Sequence, residues 1–172
     1  FDPEKAKWYN QQYLKAKTDS DLVALFVPVI QSKGLPVKLD YLKKVAGLIK
    51  ERLTFPQDFW DQAFYFFEAP SSYDMQMAKK IWKEDTAGNL EAVLLLLKKA
   101  SAFTSASLEK LVNSYLEQNK LGFGKIATPL RLLIVGSGMG PHLFEIMDMI
   151  GKEETLKRIE KGLARIGSEL TA

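Results

Sequence analysis

Short apolar segments with helical spacing, separated by glycine, proline and capping residues, follow one another along the whole chain. In residues 38–53 the apolar positions recur every three or four residues, which is the pattern of a helix with one buried face. That face is predicted to consist of Leu39, Leu42, Val45, Ile49 and Leu53. No segment alternates apolar and polar residues over a length that would indicate a strand. The sequence therefore predicts an all-α fold, a compact cage of about ten helices in two packed subdomains.

The boundary between the two subdomains is predicted at Ala69-Pro70. A proline and two serines follow the strongly aromatic helix predicted in residues 58–67, and a new capping segment begins after them. The predicted subdomains are residues 1–69 and residues 70–172. Aromatic residues of the first helix are expected in the core rather than on a ligand-binding surface: Trp8, Tyr9 and Tyr13.

The composition excludes several classes of protein. The 172 residues include no cysteine and one histidine. The lack of cysteine excludes disulfides, and with a single histidine it also argues against a zinc site. An apolar fraction of 47% with 26% charged residues is typical of a soluble globular protein, and no run of about 18 apolar residues indicates a membrane helix. The opening segment has no apolar signal-peptide core, and Phe1 is not a translation start. We therefore expect a fragment or processed product of a cytoplasmic protein.

Positive charge is concentrated in one part of the sequence. The net charge is only +3, but residues 98–131 contain far more basic than acidic residues. The basic residues are Lys98, Lys99, Lys110, Lys120, Lys125 and Arg131, and the acidic ones are Glu109 and Glu117. This local surplus is compatible with a polyanionic partner, and a solvated helix face would have the same composition.

The segment 124–143 contains the strongest candidate for a binding site. Thr128-Pro129 predicts a helix start, Gly136 a helix end and Pro141 the start of the next helix. Arg131 would then lie in a first turn, where the helix dipole disfavours a cation. Free N–H groups beside an arginine favour a ligand rich in acceptors, such as a phosphate, a carboxylate or the edge of a nucleobase. Alternatively, Arg131 is a surface arginine whose stem covers apolar neighbours.

No catalytic constellation is visible. The segment Gly136–Gly140 resembles a phosphate loop only superficially, because no Lys-Ser/Thr follows it and no strand precedes it. His142 is interpreted as a partly exposed turn residue rather than a catalytic one. Nothing in the sequence places two carboxylates in one cleft. The residues alone indicate a binding module.

Two blocks of sequence carry a family resemblance: FDPEKAKWYNQQYL at the start, and GKIATPLRLLIVG followed by LFEIMDMIGKEETLKRIEKGL at the end. Together with LIKERLTFPQDF between them, they resemble the C-terminal half of bacterial-type glutamyl-tRNA synthetases, which are class I aminoacyl-tRNA synthetases. The resemblance covers essentially the whole chain. It implies an all-helical anticodon-binding region in which residues 1–69 form a connecting, anticodon-proximal subdomain and residues 70–172 the anticodon-binding subdomain.

The resemblance implies a part of an enzyme rather than a complete one. The family's catalytic domain lies upstream and carries a His-x-Gly-His-type and a Lys-Met-Ser-Lys-Ser-type motif, neither of which is present here. Glutamate, ATP and Mg²⁺ would bind to that N-terminal domain, so we expect no cofactor and no aminoacylation by this chain alone. The implied function is to read anticodon bases for the ATP-dependent aminoacylation of glutamate tRNA. The implied partners are glutamate-type tRNA and the catalytic domain of the same chain, in a monomer that does not bind membranes.

Anticodon-binding residues are carried over from the family's motif. The segment Thr128-Pro129-Leu130-Arg131 would lie against the anticodon, with Arg131 reading a base, and Gly140 and Leu143 would complete the pocket. Arg52 would contact the third anticodon base. Thr128 replaces the family's usual glutamine, and Gly140 stands where some members have a hydroxyl residue.

These two departures and the modest net charge motivate a second hypothesis for the function. In that alternative the chain is a helical protein-interaction or scaffold domain that retains the fold and does not read RNA.

Overall fold

Ten α-helices, three short 3₁₀ helices and no strand make up the part of the chain that the computed structural model describes, residues 2–172. The α-helices are α1 (Pro3–Ala16), α2 (Asp19–Ser32), α3 (Leu39–Ile49), α4 (Phe59–Ala63), α5 (Met75–Ile81), α6 (Thr86–Lys99), α7 (Ser105–Asn119), α8 (Gly124–Val135), α9 (Leu143–Ile150) and α10 (Lys152–Thr171). The 3₁₀ helices are Lys50–Arg52, Pro56–Asp58 and Phe64–Phe66. The predicted all-α fold is confirmed.

The chain divides into two units within the aromatic segment. The first unit ends at Phe64 and contains α1–α4, and the second, Tyr65–Ala172, contains α5–α10. The sequence put its boundary at residue 69, where proline and serine interrupt the helical pattern. Tyr65 belongs to the second unit because its ring is fully buried and its carbonyl accepts a hydrogen bond from Arg158 of α10.

The core of the first unit is formed by α2, α3 and α4. Phe26 of α2 stacks on Phe59 of α4 with ring centroids 4.0 Å apart, and both rings are fully buried. The start of α2 is stabilised by Thr18 and Asp21, which form a reciprocal capping box. The predicted face of α3 is buried except for Leu39, which is exposed because it is the first residue of the helix and precedes the turns that pack against α2.

The aromatic residues of α1 lie in solvent, so their predicted place in the core is wrong: Trp8, Tyr9 and Tyr13 are each more than half exposed. Only Leu14 of this helix is buried, and the Asn10 amide donates a hydrogen bond to the Thr54 carbonyl. Because α1 is held to its unit along one narrow line, residues on its other faces remain exposed although their type favours burial.

In the second unit α8 occupies the centre and packs against α5, α6, α9 and α10. Most of its residues are buried: Ile126, Ala127, Pro129, Leu130, Leu132, Leu133, Ile134 and Val135. On α6, by contrast, Leu95 is exposed.

A buried arginine fixes the C-terminal end of α8. Arg158 of α10 is only 3% exposed, and its Nη1 donates to the carbonyl oxygens of Tyr65 at 2.7 Å and Ile134 at 3.0 Å. Its Nε donates to Glu154 at 2.7 Å. The Ile134 carbonyl is one of those that a helix end leaves unpaired, and a cation there also complements the helix dipole.

Helix α10 continues to Thr171. Its last turns are held by an ion pair between Arg165 and Glu169 at 2.9 Å and by the Thr171 hydroxyl, which donates to the carbonyl of Gly167. Within residues 2–172, no helix combines the length and the apolar composition that crossing a membrane requires.

Candidate functional site

The helix that carries Arg131 starts earlier than the sequence indicated. It begins at Gly124 with Phe123 as its N-cap residue, so Thr128 caps nothing and Pro129 lies in the helix interior. An interior proline costs about 3 kcal/mol. Extending the helix toward its N-terminus buries Ile126 completely and Ala127 almost completely. Burial of one large aliphatic side chain contributes roughly 1.5–3 kcal/mol, which offsets most of the proline penalty.

Arg131 therefore lies about two turns into α8 rather than in its first turn, and the predicted helix start beside it is wrong for this helix. The helix start that lies near Arg131 is instead that of α9. It begins at Leu143, two residues after the predicted Pro141, and no side chain caps it. The N–H groups of Glu145 and Ile146 turn back to the His142 carbonyl. This uncapped helix start borders the same pocket as Arg131, because His142 and Leu143 line it.

The loop between α8 and α9 folds back onto the arginine. Gly136 ends α8 in the left-handed region, with φ of 91°, as the sequence predicted. The loop then brings the Met139 carbonyl to Arg131, whose Nη1 donates to it at 2.9 Å. Gly140 has φ of 107°, and a Cβ there would lie 3.2 Å from Nη1 of Arg131 and 3.1 Å from the Tyr65 hydroxyl. Only a glycine lets the loop pass so close to the guanidinium.

A pocket of about 200 Å³ opens beside the guanidinium. Residues of α5, α8, α9 and the connecting segments line it: Met77, Phe123, Ala127, Thr128, Arg131, Gly138, His142 and Leu143. None of these residues is acidic. The rings of Phe123 and His142 both contact the buried ring of Phe144 edge to face, with centroid distances of 6.2 Å and 5.5 Å. The pocket thus combines aromatic and aliphatic walls with a guanidinium, a hydroxyl and a helix start.

The predicted binding residues are only partly brought together. Thr128, Arg131 and Leu143 line the pocket, and Gly140 lies next to the guanidinium. Two neighbours on α8, Pro129 and Leu130, are buried and do not line it.

Arg52 lies in the other unit. It is exposed at the end of the 3₁₀ helix Lys50–Arg52.

Sequence reasoning did not select several of the residues that line the pocket. Phe123 had a recognisable signal, since it is a lone aromatic residue between Gly122 and Gly124 and outside any apolar stripe. Met77 had none, because α5 reaches the pocket through a tertiary contact in which the Asp74 N–H donates to the Gly136 carbonyl at 2.8 Å.

The arrangement suits a planar ligand with acceptor atoms on its edge. A guanidinium carries five N–H donors in a fixed fork, and the bond to Met139 holds its orientation. The apolar lining favours a ring over a fully hydrated ion. Across residues 2–172, no group of three or more histidines, aspartates or glutamates is arranged to hold a metal ion.

The basic residues of segment 98–131 are only partly neutralised. Lys98 pairs with Glu160 at 2.6 Å, and Lys125 pairs with Asp85 at 3.4 Å. A second, more open groove of about 520 Å³ runs along α6 and α7, and its lining includes two lysines and several serines but no acidic residue: Lys99, Lys110, Ser101, Ser107 and Ser114. The ion pairs found among residues 2–172 include neither of these lysines.

Comparison with known proteins assigns a family to this arrangement. A family profile described as an anticodon binding domain matches residues 21–163. The glutamate–tRNA ligase of Flavobacterium psychrophilum is 49% identical over 166 residues, which are 96% of this chain and 33% of that protein. The glutamate–tRNA ligase of Porphyromonas gingivalis strain W83 is 39% identical over 167 residues, 97% of this chain and 33% of that protein.

A solved structure supports the same family assignment. The crystal structure of a glutamate tRNA ligase from Elizabethkingia meningosepticum, in complex with its amino acid, superposes with a TM-score of 0.90 at 36% identity over 96% of this chain and 33% of that one. The chain thus spans about a third of the length of the relatives it matches, and the matched part is their C-terminal third.

Proposed function

The chain belongs to the anticodon-binding-domain family, and on that basis we propose that it is the tRNA-binding part of a glutamate–tRNA ligase, with the Arg131 pocket receiving an anticodon base. The single observation that carries the pocket assignment is the geometry of Arg131. Its guanidinium lines a largely apolar pocket next to an uncapped helix start, and a backbone carbonyl fixes its orientation. Sequence-specific recognition of RNA uses such donors on the exposed edges of unstacked bases.

The residues around the pocket have different roles in this proposal. Arg131 donates to the base edge, and Thr128 and Leu143 shape the pocket on either side. Gly140 contributes by leaving room for the guanidinium rather than by a side-chain contact. Pro129 and Leu130 act from the core, where they hold the turn of α8 that presents Arg131.

The first unit has a separate role. It connects the anticodon-binding unit to the rest of the enzyme, and Arg52 on its surface contacts the third anticodon base.

The activity of the whole enzyme is proposed from the relatives. An N-terminal catalytic domain would join glutamate to tRNA with ATP and Mg²⁺, and this chain would supply only tRNA contacts. The proposal therefore predicts no aminoacylation by the 172-residue chain alone.

A salt titration distinguishes RNA binding from the scaffold alternative. The 172-residue chain is mixed with a fluorescently labelled anticodon stem-loop of glutamate tRNA, and its Kd is measured by anisotropy at increasing salt. If the chain binds RNA, the logarithm of its association constant (1/Kd) should fall linearly with the logarithm of the salt concentration, because each phosphate contact releases counterions. Absence of binding at low salt would contradict the proposal and support a protein-interaction domain.

A further inference from the structure

The ring of Phe123 packs edge to face against Phe144 and still leaves much of its surface in solvent. It is 47% exposed, and in the second unit the large hydrophobic residues recorded as exposed are Leu95 and Phe123. Leu95 of α6 does not line the Arg131 pocket, whereas Phe123 forms part of its wall. An exposed apolar residue at the mouth of a cavity is typical of a ligand contact.

We propose that Phe123 is the platform on which the base held by Arg131 stacks. This inference rests on the proposed function and adds to it the residue that contacts the face of the base. Arg131 and the start of α9 offer donors to the edge of a base, and a flat apolar ring beside them offers the surface that its face requires. Every base has a π-face, so stacking strengthens binding regardless of base identity.

Phe123 is held in place before any ligand arrives. Its ring contacts the buried Phe144 ring edge to face, at a centroid distance of 6.2 Å and an interplanar angle of 76°. The ring of His142 contacts the same Phe144 ring at 5.5 Å and 61°. Two rings braced on one fully buried ring lose little conformational freedom when a ligand binds.

The size of the pocket agrees with a single nucleobase. A volume of about 200 Å³ lies below the roughly 300–1,000 Å³ that encloses a drug-sized ligand, so the sugar and phosphate of a nucleotide would remain outside. The lining supplies no acidic side chain that would repel those phosphates.

Stacking and edge recognition predict separable phenotypes. Loss of Arg131 removes donors to particular base atoms and so reduces discrimination between anticodons. Loss of the Phe123 ring weakens binding to every anticodon by a similar factor and leaves their ratio unchanged. The expected weakening is about 5- to 150-fold, the range corresponding to loss of one base–aromatic stack.

The test uses anticodon stem-loops with 2-aminopurine at each anticodon position in turn, because the fluorescence of this base analogue is quenched by stacking. The 172-residue chain, Phe123→Leu, Phe123→Trp and Leu95→Ala are compared. Phe123→Leu removes the aromatic face at an exposed site and should not affect folding, which thermal unfolding checks. Phe123→Trp restores a ring, and Leu95→Ala is a control at the other exposed apolar residue of the unit.

We expect quenching at one anticodon position with the wild-type chain, its loss with Phe123→Leu and its retention with Phe123→Trp and Leu95→Ala. If the wild-type chain prefers the glutamate stem-loop and Phe123→Leu leaves quenching and Kd unchanged, the stacking role is refuted while the proposed function stands. If the wild-type chain binds no stem-loop, the proposed function fails and the stacking role fails with it.

Discussion

Replacing Gly140 by alanine should damage both the stability of the second unit and the orientation of Arg131. The backbone at Gly140 has φ of 107°, which L-residues with a side chain rarely adopt. The new Cβ would lie 3.1 Å from the Tyr65 hydroxyl and 3.2 Å from both Nη1 of Arg131 and Cδ1 of Ile146. All three distances are shorter than an ordinary van der Waals contact, so at least one of these neighbours must shift.

The size of the effect follows from two contributions. A non-glycine residue in a sparsely populated backbone region costs about 1–3 kcal/mol. Overpacking of a filled site costs about 1–3 kcal/mol more, although a shift of the guanidinium would relieve part of it. We therefore expect the free energy of unfolding to fall by about 2–4 kcal/mol. Any shift of Arg131 would lengthen its 2.9 Å hydrogen bond to the Met139 carbonyl and misalign its donors.

Urea unfolding followed by circular dichroism measures the first effect. With an m-value of about 1–3 kcal/mol/M, the midpoint should fall by roughly 1 M or more. Gly138→Ala is the matched control, since Gly138 is exposed in the same loop, without a positive φ, and its Cβ would meet only the flexible end of Met77 at 3.3 Å. Gly140→Ala is then also tested for binding to the anticodon stem-loop of glutamate tRNA.

Equal midpoints for Gly140→Ala and Gly138→Ala would refute this reasoning. The loop would then be free to move away from Arg131, and the guanidinium would not depend on it for its orientation.

Three further outcomes are expected. Arg158→Leu should lower the free energy of unfolding by about 3–5 kcal/mol, since it leaves two carbonyl oxygens and a partly buried carboxylate without their donor, and an unchanged urea midpoint would contradict this. Lys99→Ala and Lys110→Ala should each reduce the salt slope of stem-loop binding by about 0.7–0.9, because each would remove one phosphate contact from the groove along α6 and α7. Lys98→Ala should change the slope less, because Lys98 is paired with Glu160. Equal slopes for all three variants would contradict phosphate binding by the lysines of this groove. Asp148→Ala should lower the free energy of unfolding by about 0.5–2 kcal/mol, because it removes the carboxylate that accepts a hydrogen bond from the first N–H of α7 at 2.8 Å. Thermal unfolding would measure this loss.

Features that depend on neighbouring residues in the sequence could be predicted. The starts of α1 and α2 follow from Asp2 and Thr18, whose side chains accept hydrogen bonds from N–H groups two or three residues on. The end of α8 follows from Gly136, because a positive φ after a helical run favours glycine. These signals are local, so the sequence contains all the information they require.

Features that depend on tertiary burial could not be predicted from the sequence. Pro129 is a strong signal for a helix start, and only the burial of Ile126 and Ala127 explains why the helix extends past it. The exposure of the α1 aromatic residues depends on how little of that helix touches its unit. The two carbonyl partners of Arg158 lie 93 and 24 residues away, and no pattern in the sequence identifies them.

The candidate site divides in the same way. Arg131 was identified from its segment and from the family resemblance, and the structure places it in a pocket with Thr128 and Leu143. Phe123 and Met77 could be added only once the fold had brought α5 and the start of α8 to the same pocket.

The ratio of two dissociation constants tests the central claim most directly. The 172-residue chain and its Arg131→Ala variant are each titrated, at one salt concentration, with the anticodon stem-loop of glutamate tRNA and with a stem-loop that differs only in its three anticodon bases. We predict that the wild-type chain prefers the glutamate stem-loop and that Arg131→Ala removes about 1–3 kcal/mol of this preference while leaving the fold intact. Equal binding of the two stem-loops by the wild-type chain, or an unchanged preference in a folded Arg131→Ala variant, would contradict the assignment of base recognition to this pocket.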